Sequence, residues 1–321
     1  MQKVRVGVLR GGISNEYDIS LLSGEAVLRN LPQDKYDVED ILIDKDGVWY
    51  HRGLPLKLSS FFAHVDVVFN ALHGEYGEDG RVQKILTDLG IPYTGSQVIE
   101  SAICMNKAQT KAALWSTGIK TPKFIVASSD DNPKVLCTRA YKTFAAPHVI
   151  KPTFGGSSVG VTISYNPKEF LENLETALEL FGEVIIEEFI VGREVTCGVI
   201  DDFRGKRYYT LLPIEIIPKD GRVFFDYEAK YKGGSKELCP GNFTNDESMY
   251  IQKLAKIVHK ALGLSHYSCS DFIMTPRDVY FLEVNTLPGL TDKSLIPKSL
   301  RAVGIEFPDF LDHIVQLAIK G

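Results

Sequence analysis

The sequence has no apolar run that approaches the ~20 residues needed to span a bilayer. It also shows no internal repeat and no low-complexity tract. The N-terminal segment MQKVRVGVLRGG alternates between polar and apolar residues and runs into glycines, which predicts a first β-strand rather than a signal peptide. A membrane-spanning helix and an array of repeated units are therefore not expected.

Cysteine pairing is also missing. The five cysteines, at positions 104, 137, 197, 239 and 269, form no CxxC motif and no pairing with histidine. Their odd number and irregular spacing argue for a reducing compartment and against a structural zinc site. We therefore expect a cytoplasmic protein.

The net charge of −5 offers no electrostatic basis for binding nucleic acid or an anionic membrane surface. We expect neither as a partner, so the basic residues must act locally if they bind phosphates. The apolar content of 44% and charged content of 24% are ordinary for a globular protein. A chain of 321 residues is long enough for two or three lobes, each with its own core.

The first third of the chain repeats the order strand, glycine loop, helix. Residues 4–9 predict a parallel strand, residues 65–74 predict another buried strand, and a helix is predicted from about Glu16. This order is typical of a parallel α/β domain, which we place at residues 1–105.

Beyond this lobe the pattern changes. The runs 148–163 (HVIKPTFGGSSVGVTI) and 184–200 (VIIEEFIVGREVTCGVI) each predict two strands, and antiparallel pairing explains them better than βαβ units do. We place a central α+β lobe at 106–185 and a C-terminal lobe at 186–321. Within the latter, residues 219–246 are rich in glycine, lysine and tyrosine and too long for a routine connection, which predicts a functional lid.

The most informative pattern is SCSDFIMTPRDVYFLEVNTLPGL near the C-terminus, where two apolar strands flank a turn predicted at Pro276, Arg277 and Asp278. If that turn holds three residues, Asp271 lies opposite Glu283. Asn285 then shares a face with Glu283, because side chains alternate along a strand.

Two carboxylates and an amide oxygen on one face suit Mg²⁺ that also holds nucleotide phosphates. Two bridged Mg²⁺ ions would neutralise charge on a transferring phosphoryl group. The alternative is a solvated sheet face with incidental acids, which does not explain why the acids interrupt otherwise apolar strands.

A second pattern is Lys151 followed by PTFGGSSVG. Glycines followed by serines expose backbone N–H groups and hydroxyls that can fold over phosphate oxygens. The segment is not a Walker A loop, because no Gly-Lys-Ser/Thr closes it onto a helix. A flexible hairpin turn is the alternative, and the lysine at the strand end favours a nucleotide.

Several acids stand near the ends of predicted strands. Glu187, Glu188 and Glu194 fit an adenine and ribose edge, although acids that cap a strand into solvent explain this segment slightly better when it is read alone. His73 opens the loop HGEYGEDG after a buried strand, where α/β sheets place ligands. Glu16 stands at a helix start, where a carboxylate either binds a ligand or complements the helix dipole.

Seven segments resemble the D-alanine–D-alanine ligases of the ATP-grasp superfamily: GGISNEYDISLLSG, HGEYGEDG, YTGS, KPTFGGSSVGV, EEFIVGRE, DYEAKY and FLEVNTLPGLTDKSLIP. They follow one another in order over nearly the whole chain. The resemblance implies an ATP-grasp fold with an N-terminal parallel α/β (Rossmann-like) domain, a central domain and a C-terminal domain. It also implies ATP-dependent ligation of two D-alanine molecules for peptidoglycan, two Mg²⁺ ions with Mn²⁺ as a possible substitute, and a homodimer.

The resemblance further implies roles for the nucleotide-binding residues. Lys107 and Lys151 match lysines on the phosphates and the adenine side, and Lys230 matches the lysine that meets the γ-phosphate. Adenine and ribose contacts are implied for Glu187, Glu188, Ile190 and Glu194, phosphate contacts for Ser157 and Ser158, and Mg²⁺ ligation for Asp271, Glu283 and Asn285.

Other matches concern the two amino-acid substrates. Glu16 resembles the residue that grips the first substrate's ammonium, and His73 lies near that carboxylate. Together with Ser157 and Tyr231, Glu16 matches a hydrogen-bonded triad that closes the lid. The oxyanion donor and the contact to the second substrate's carboxylate correspond to Gly289 and Ser294.

The implied reaction has two steps. The first D-alanine carboxylate attacks the γ-phosphate to give an acyl phosphate, which the amine of the second D-alanine then attacks. Water would destroy this intermediate, so a closing lid is required. Tyr231 favours an amine acceptor, since similar ligases that make D-alanyl-D-lactate carry phenylalanine there.

The sequence departs from the family at Cys269, where the family has an arginine that binds the second substrate's carboxylate and steadies the oxyanion. A thiol cannot supply a bidentate charged fork, and losing a donor of this kind typically costs ~10²–10³ in rate. It is also a poor ligand for Mg²⁺. Besides a D-alanine–D-alanine ligase in which another basic residue compensates, the alternatives are an ATP-grasp ligase with a different acceptor and a catalytically weak nucleotide-binding paralogue.

Overall fold

The computed structural model describes residues 3–156, 159–218 and 235–320. The strands of this part of the chain form three sheets, one of them built around parallel strands and two of them antiparallel. None of the helices in these ranges has the length and apolar character of a transmembrane span.

The first sheet follows the predicted parallel pattern. Its order is β4-β3-β2-β1-β5, with β1 parallel to both β2 and β5 and a short antiparallel edge at β3 and β4. Its strands are Val4–Gly11 (β1), Tyr36–Ile43 (β2), Trp49–His51 (β3), Leu54–Pro55 (β4) and Val67–Asn70 (β5). The accompanying helices are Tyr17–Asn30 (α1), Leu58–Phe62 (α2), Arg81–Asp88 (α3) and Val98–Met105 (α4).

The second sheet has the order β6-β9-β7-β8 and is antiparallel throughout. Its strands are Phe124–Ser128 (β6), His148–Pro152 (β7), Thr162–Ser164 (β8) and Glu183–Glu188 (β9). Helix Lys107–Leu114 (α5) precedes the strands of this sheet in the chain. Helix Pro133–Thr143 (α6) connects β6 to β7, and helix Pro167–Phe181 (α7) connects β8 to β9. Both α6 and α7 begin with Asn-Pro, whose asparagine side chain accepts hydrogen bonds from the first-turn N–H groups.

The third sheet has the order β13-β12-β10-β14-β15, with β11 paired to β10. Its strands are Arg193–Phe203 (β10), Lys206–Thr210 (β11), Ile214–Pro218 (β12), Ser235–Leu238 (β13), Tyr267–Met274 (β14) and Val279–Asn285 (β15). The helices of this region are Asn245–Ala261 (α8), Leu295–Ala302 (α9) and Phe307–Lys320 (α10). A capping box formed by Thr244 and Glu247 defines the start of α8.

One expectation about pairing needs correction. The run 184–200 does form two strands, β9 and β10, but they belong to different sheets. The reason is that β9 already lies between β6 and β7, so both of its edges are occupied. The connecting residues 189–192 therefore carry the chain from one sheet to the next.

The first sheet packs against the C-terminal helices. One core cluster joins Val6 and Phe69 of the first sheet to Leu311 and Val315 of α10. A polar contact adds to it, because the Gly95 N–H donates to Nδ1 of His266 at 2.9 Å. The boundary predicted at 105/106 falls between α4 and α5, and that at 185/186 falls within β9; the division into three lobes stays a prediction.

Candidate nucleotide and substrate site

A cavity of about 860 Å³ is lined by residues from the second and third sheets and from segments that follow β1 and β5 of the first. This volume is within the range of small-molecule sites, roughly 300–1,000 Å³. The lining includes all described residues that the sequence analysis assigned to a site: Glu16, His73, Lys107, Lys151, Glu187, Glu188, Ile190, Glu194, Cys269, Asp271, Glu283, Asn285, Gly289 and Ser294. Ser157, Ser158, Lys230 and Tyr231 lie outside the described residues, as do residues 219–234 of the lid predicted over 219–246.

Three oxygen-bearing side chains form what we call the acidic face: Asp271, Glu283 and Asn285. Asp271 pairs with Glu283 across β14 and β15, and Asn285 pairs with Cys269. The Asn285 amide nitrogen donates to Oδ2 of Asp271 at 3.3 Å, and the hydroxyl of Thr196, on β10, donates to Oδ1. The three side chains therefore project from one sheet surface into the cavity.

The hairpin reaches the expected register by a different route. Met274 pairs with Val279, so the connection contains four residues, 275–278, and the predicted three-residue turn is wrong. A bulge at Leu282 adds one residue to β15 between the partners of Phe272 and Asp271. This extra residue shifts the pairing back by one position, so that Asp271 still faces Glu283.

The acidic face fits a hard divalent cation such as Mg²⁺, because such ions prefer carboxylate and amide oxygens. In the described ranges, no group of three or more His, Cys, Asp or Glu residues could hold a metal. An ion at the acidic face would therefore depend on the amide oxygen of Asn285 and on ligands from a bound molecule to complete its coordination.

Opposite charge gathers in a second group, the lysine cluster, made of Lys107, Lys111, Lys151 and Glu187. Oε1 of Glu187 lies 2.7 Å from Nζ of Lys111, and Oε2 lies 2.8 Å from Nζ of Lys151. Burial acts to raise the pKa of Glu187, but the two ammonium groups outweigh it and lower the pKa to about 2. Glu187 is therefore ionised at neutral pH.

Lys107 joins the lysine cluster to the acidic face. Its ammonium donates to the carbonyl oxygen of Gly155 and lies 3.6 Å from Oε2 of Glu283. Burial lowers the pKa of Lys107, against the opposing attraction of Glu283. Cations that can hold anionic oxygens and anions that can hold a metal thus meet at one point in the cavity wall.

The residues predicted to contact adenine and ribose line the end of the cavity that carries the lysine cluster, which we call the nucleotide end. Both oxygens of Glu187 are engaged by lysines in this state, while Oε1 of Glu188 accepts from the Lys123 N–H at 2.8 Å. Ile190 follows β9, and Glu194 stands on the same face of β10 as Thr196. Direct contacts of these side chains with a base or a sugar stay predictions.

The opposite end of the cavity, which we call the donor end, is built from loops that follow the parallel strands β1 and β5. Gly74 has a φ of +69°, a conformation that favours glycine, and a Cβ there would lie 2.8 Å from Oε2 of Glu16, so a side chain would also displace this carboxylate. Ser14 helps to hold the turn, since its hydroxyl donates to the His73 carbonyl and accepts from the Glu16 N–H.

His73 has both ring nitrogens engaged by the protein. Nδ1 is 2.8 Å from the Leu287 carbonyl, which can only accept, so Nδ1 carries the proton and Nε2 accepts from the Ser23 hydroxyl at 2.8 Å. Burial lowers the pKa of His73, against the opposing charge of Glu16. His73 therefore positions the segment that leads to Gly289, and its role as a substrate contact stays a prediction.

Glu78 is a cavity residue to which the sequence analysis gave no role. Its carboxylate accepts from the N–H groups of Gly74 and Leu287, both at 2.8 Å, and from the hydroxyl of Thr286 at 3.2 Å. Burial and the nearby Glu16 raise the pKa of Glu78 to about 7. The signal available was its place in the acid-rich loop after a buried strand, but nothing there distinguishes it from Glu75 or Asp79.

Gly289, Ser294 and Cys269 line the part of the cavity assigned to the second substrate, which we call the acceptor end. A Cβ at Gly289 would lie 2.9 Å from Oγ of Ser294, which is 2.8 Å from the Thr291 hydroxyl. Cys269 is buried, and its sulfur lies 3.1 Å from Oγ1 of Thr196.

Two lysines, Lys293 and Lys298, line the same end and are the described cations nearest in sequence to Ser294. Lys298 forms an ion pair with Glu237 of β13. A basic residue that could compensate for the thiol of Cys269 is thus present at this end, although Lys298 already has a carboxylate partner.

Family models match most of the chain. The model described as D-ala D-ala ligase N-terminus matches residues 5–60 and 54–96, and the one described as D-ala D-ala ligase C-terminus matches residues 114–316. The D-alanine–D-alanine ligase of Clostridium beijerinckii is 38% identical over 320 residues, which cover 99% of each chain. That of Bacillus anthracis is 37% identical over 317 residues, covering 99% of this chain and 98% of the relative.

Solved structures agree with these matches. The VanG D-Ala:D-Ser ligase from Enterococcus faecalis superposes with a TM-score of 0.87 at 33% identity, over 99% of this chain and 100% of that one. The Bacillus anthracis D-alanine–D-alanine ligase complexed with ATP gives a TM-score of 0.79 at 33% identity, over 99% and 98% of the two chains. The resemblance indicated by the sequence motifs and the predicted ATP-grasp fold are both confirmed.

Proposed function

Because this chain belongs to the D-alanine–D-alanine ligase family, we propose that it uses ATP to join two D-alanine molecules, with release of ADP and phosphate. The observation that carries the proposal is the meeting of the acidic face and the lysine cluster at Lys107 and Glu283, 3.6 Å apart, inside a cavity of about 860 Å³. A nucleotide triphosphate with divalent cations needs both kinds of charge side by side.

The nucleotide occupies the side of the cavity that carries the lysine cluster. Lys107 and Lys151 are positioned to bind phosphate oxygens, with Ser157, Ser158 and Lys230 as further phosphate contacts and Glu187, Glu188, Ile190 and Glu194 at the adenine and ribose. Asp271, Glu283 and Asn285 would hold two Mg²⁺ ions, or Mn²⁺, whose charge offsets that of the transferring phosphoryl group.

The first D-alanine lies at the donor end, where Glu16 binds its ammonium and holds its carboxylate towards the γ-phosphate. A carboxylate oxygen forms a bond to γ-phosphorus as the bond to the ADP oxygen breaks, which gives an acyl phosphate. Glu16, Ser157 and Tyr231 close the lid so that water is excluded from this intermediate. His73 keeps Leu287, and hence the neighbouring Gly289, in place.

The second D-alanine lies at the acceptor end with its carboxylate near Ser294. Its amine attacks the acyl carbon, loses a proton, and phosphate leaves as the amide forms. The Gly289 N–H donates to the oxyanion of the tetrahedral intermediate, and an electrostatic effect of this kind typically accounts for ~10²–10³ in rate.

The alternatives considered from the sequence are not favoured, since the curated relatives share one activity over nearly their whole length. The acceptor is nevertheless the part of the reaction most open to variation. Cys269 offers no charge to a substrate carboxylate, and a close structural relative is named for D-serine. We further propose that the protein acts in the cytoplasm as a homodimer and supplies a precursor of peptidoglycan.

Phosphate release from ATP and Mg²⁺ in the presence of candidate acceptors tests this proposal. D-alanine is expected to give the highest turnover, with D-serine and D-lactate well below it, and product mass should identify the dipeptide. An Asp271→Asn variant, expected to release no phosphate, controls for contaminating ATPases. Release with another acceptor only, or nucleotide binding without release under any acceptor, would contradict the proposal.

A further inference from the structure

Lys111 is the one member of the lysine cluster that does not line the cavity. Its side chain is 1% exposed and lies on α5 one helical turn after Lys107, on the same helix face. The two lysines differ in what they contact. Lys107 lines the cavity and lies beside Glu283 of the acidic face, whereas the ammonium of Lys111 pairs with Glu187. Lys111 is thus positioned to act through another residue rather than on a ligand.

The surroundings of Lys111 leave it one carboxylate partner. Its ammonium lies 2.7 Å from Oε1 of Glu187 and 5.8 Å from the ring centroid of Phe124. In the described part of the chain, neither this ammonium nor Oε1 of Glu187 makes a hydrogen bond of regular geometry, so the contact between them is an ion pair and neither atom has a further polar partner. Phe124 pairs with Glu187 across β6 and β9, so ring, carboxylate and ammonium belong to one packed unit.

Glu187 bridges two lysines that differ in access to the cavity. Lys151 stands on β7 at a diagonal position to Glu187, and its ammonium lies 2.8 Å from Oε2. It lines the cavity, whereas Lys111 does not. An anionic ligand that enters the cavity must therefore compete with Glu187 for Lys151.

The cost of this competition depends on what remains beside Glu187. A buried carboxylate that loses its sole partner is strongly disfavoured, because an uncompensated charge is left in a low-dielectric site. Glu187 has a pKa of about 2 only while both ammonium groups lie beside it, and burial would raise that pKa if they were lost. A second cation that stays beside Glu187 when Lys151 leaves would remove most of the free-energy cost of burying this carboxylate.

Resting on the proposed function, we propose that Lys111 is a positioning residue for nucleotide binding: it neutralises Glu187, so that Lys151 can leave that carboxylate and bind a nucleotide phosphate. Lys111 itself makes no contact with the ligand. Its contribution is expected in nucleotide affinity rather than in the chemical steps, because Glu187 and Lys111 both stand apart from the reacting groups.

The test is a double-mutant cycle on Lys111 and Glu187. Binding of a non-hydrolysable ATP analogue with Mg²⁺ is measured by calorimetry, alongside KM for ATP and kcat. We expect Lys111→Met to raise the dissociation constant and KM by about 10-fold, with kcat changed less than about 3-fold. In the Glu187→Gln background the same substitution should change affinity less than about 3-fold, because no buried charge is then left alone.

Two further variants separate positioning from general structure. Lys84→Met removes a lysine from an exposed pair with Asp88, at 2.6 Å, and should leave nucleotide affinity unchanged. Lys111→Arg keeps the charge and should restore part of the affinity. Should Lys111→Met fail to fold, Lys111→Gln, which retains a hydrogen-bond donor but no charge, gives the same comparison.

The outcomes distinguish this inference from the proposed function. Equal losses from Lys111→Met in both backgrounds, or no loss in the native background, would overturn the role of Lys111 while the ligase assignment stands. A native protein that binds no analogue would overturn both.

Discussion

The cavity holds two buried carboxylates with opposite environments. Glu187, at the nucleotide end, lies between the ammonium groups of Lys111 and Lys151, which lower its pKa to about 2. Glu78, at the donor end, has backbone N–H groups and a hydroxyl as partners, and burial together with nearby Glu16 raises its pKa to about 7. Burial alone therefore does not set the charge of a carboxylate; its neighbours do.

This difference suits the ligands proposed for the two ends. A polyphosphate needs cations, and the ionised Glu187 keeps Lys151 in place until the ligand arrives. The donor end must accept an ammonium group beside Glu16, and a Glu78 that takes up a proton near neutral pH reduces the repulsion between these two carboxylates. The comparison can be tested at each end separately.

The largest effect is expected from Lys151→Met at the nucleotide end. This change removes a charge-assisted hydrogen bond to phosphate, worth about 1.5–3 kcal/mol, so KM for ATP should rise roughly 10- to 100-fold. KM for the first D-alanine should change little, because Lys151 belongs to the other end of the cavity. Steady-state kinetics with each substrate varied in turn measure both constants, and a parallel rise in both would contradict the separation into two ends.

A smaller effect is expected from Cys269→Arg at the acceptor end. The new guanidinium can bind the second substrate's carboxylate with two parallel hydrogen bonds, so KM for the acceptor should fall about 10-fold and turnover should rise. Cys269→Met, which adds length without charge, is the matched control. If arginine and methionine give the same kinetics, the acceptor end is organised around another cation, for which Lys298 is the candidate.

The smallest effect concerns pH and the ligand-free protein. Because the folded pKa of Glu78 lies above the unfolded value of 4.5, the folded state binds more protons between these values, and stability falls as pH rises from about 4.5 to 7. The total contribution is at most about 3 kcal/mol. Thermal unfolding of Glu78→Gln between pH 5 and 8 should therefore depend less on pH than that of the native protein.

Glu187→Gln provides the contrast for this measurement. It is combined with Lys111→Met, because the pKa of Lys111 is about 8 and would fall further without the charge of Glu187. With a folded pKa of about 2, Glu187 does not titrate between pH 5 and 7, so the double variant should shift the unfolding temperature with little change in the pH slope over that range. Identical slopes for the two variants would mean that the two carboxylates do not differ as described.

Local patterns predicted some parts of the site and not others. The acids of the hairpin could be assigned to one face because side chains alternate along strands, yet the four-residue connection and the bulge at Leu282 could not be foreseen. These two unpredicted features offset each other, since the longer connection shifts the strand register by one residue and the bulge restores it. The pairing of β9 failed because strand partners depend on which edges other strands occupy, and those strands lie elsewhere in the chain.

No sequence signal distinguishes Lys111 or Glu78 from similar residues nearby. Lys111 resembles any helical lysine until β9 brings Glu187 to within 2.7 Å of it, and Glu78 differs from neighbouring acids only because Thr286 and Leu287 meet it from the other end of the chain. The sequence by itself determined the family and the alternating acidic face, because both depend on short-range spacing. Only the tertiary structure decided which lysine lines the cavity, which supports a carboxylate, and which buried acid stays charged, because those properties depend on distances between groups that are far apart in sequence.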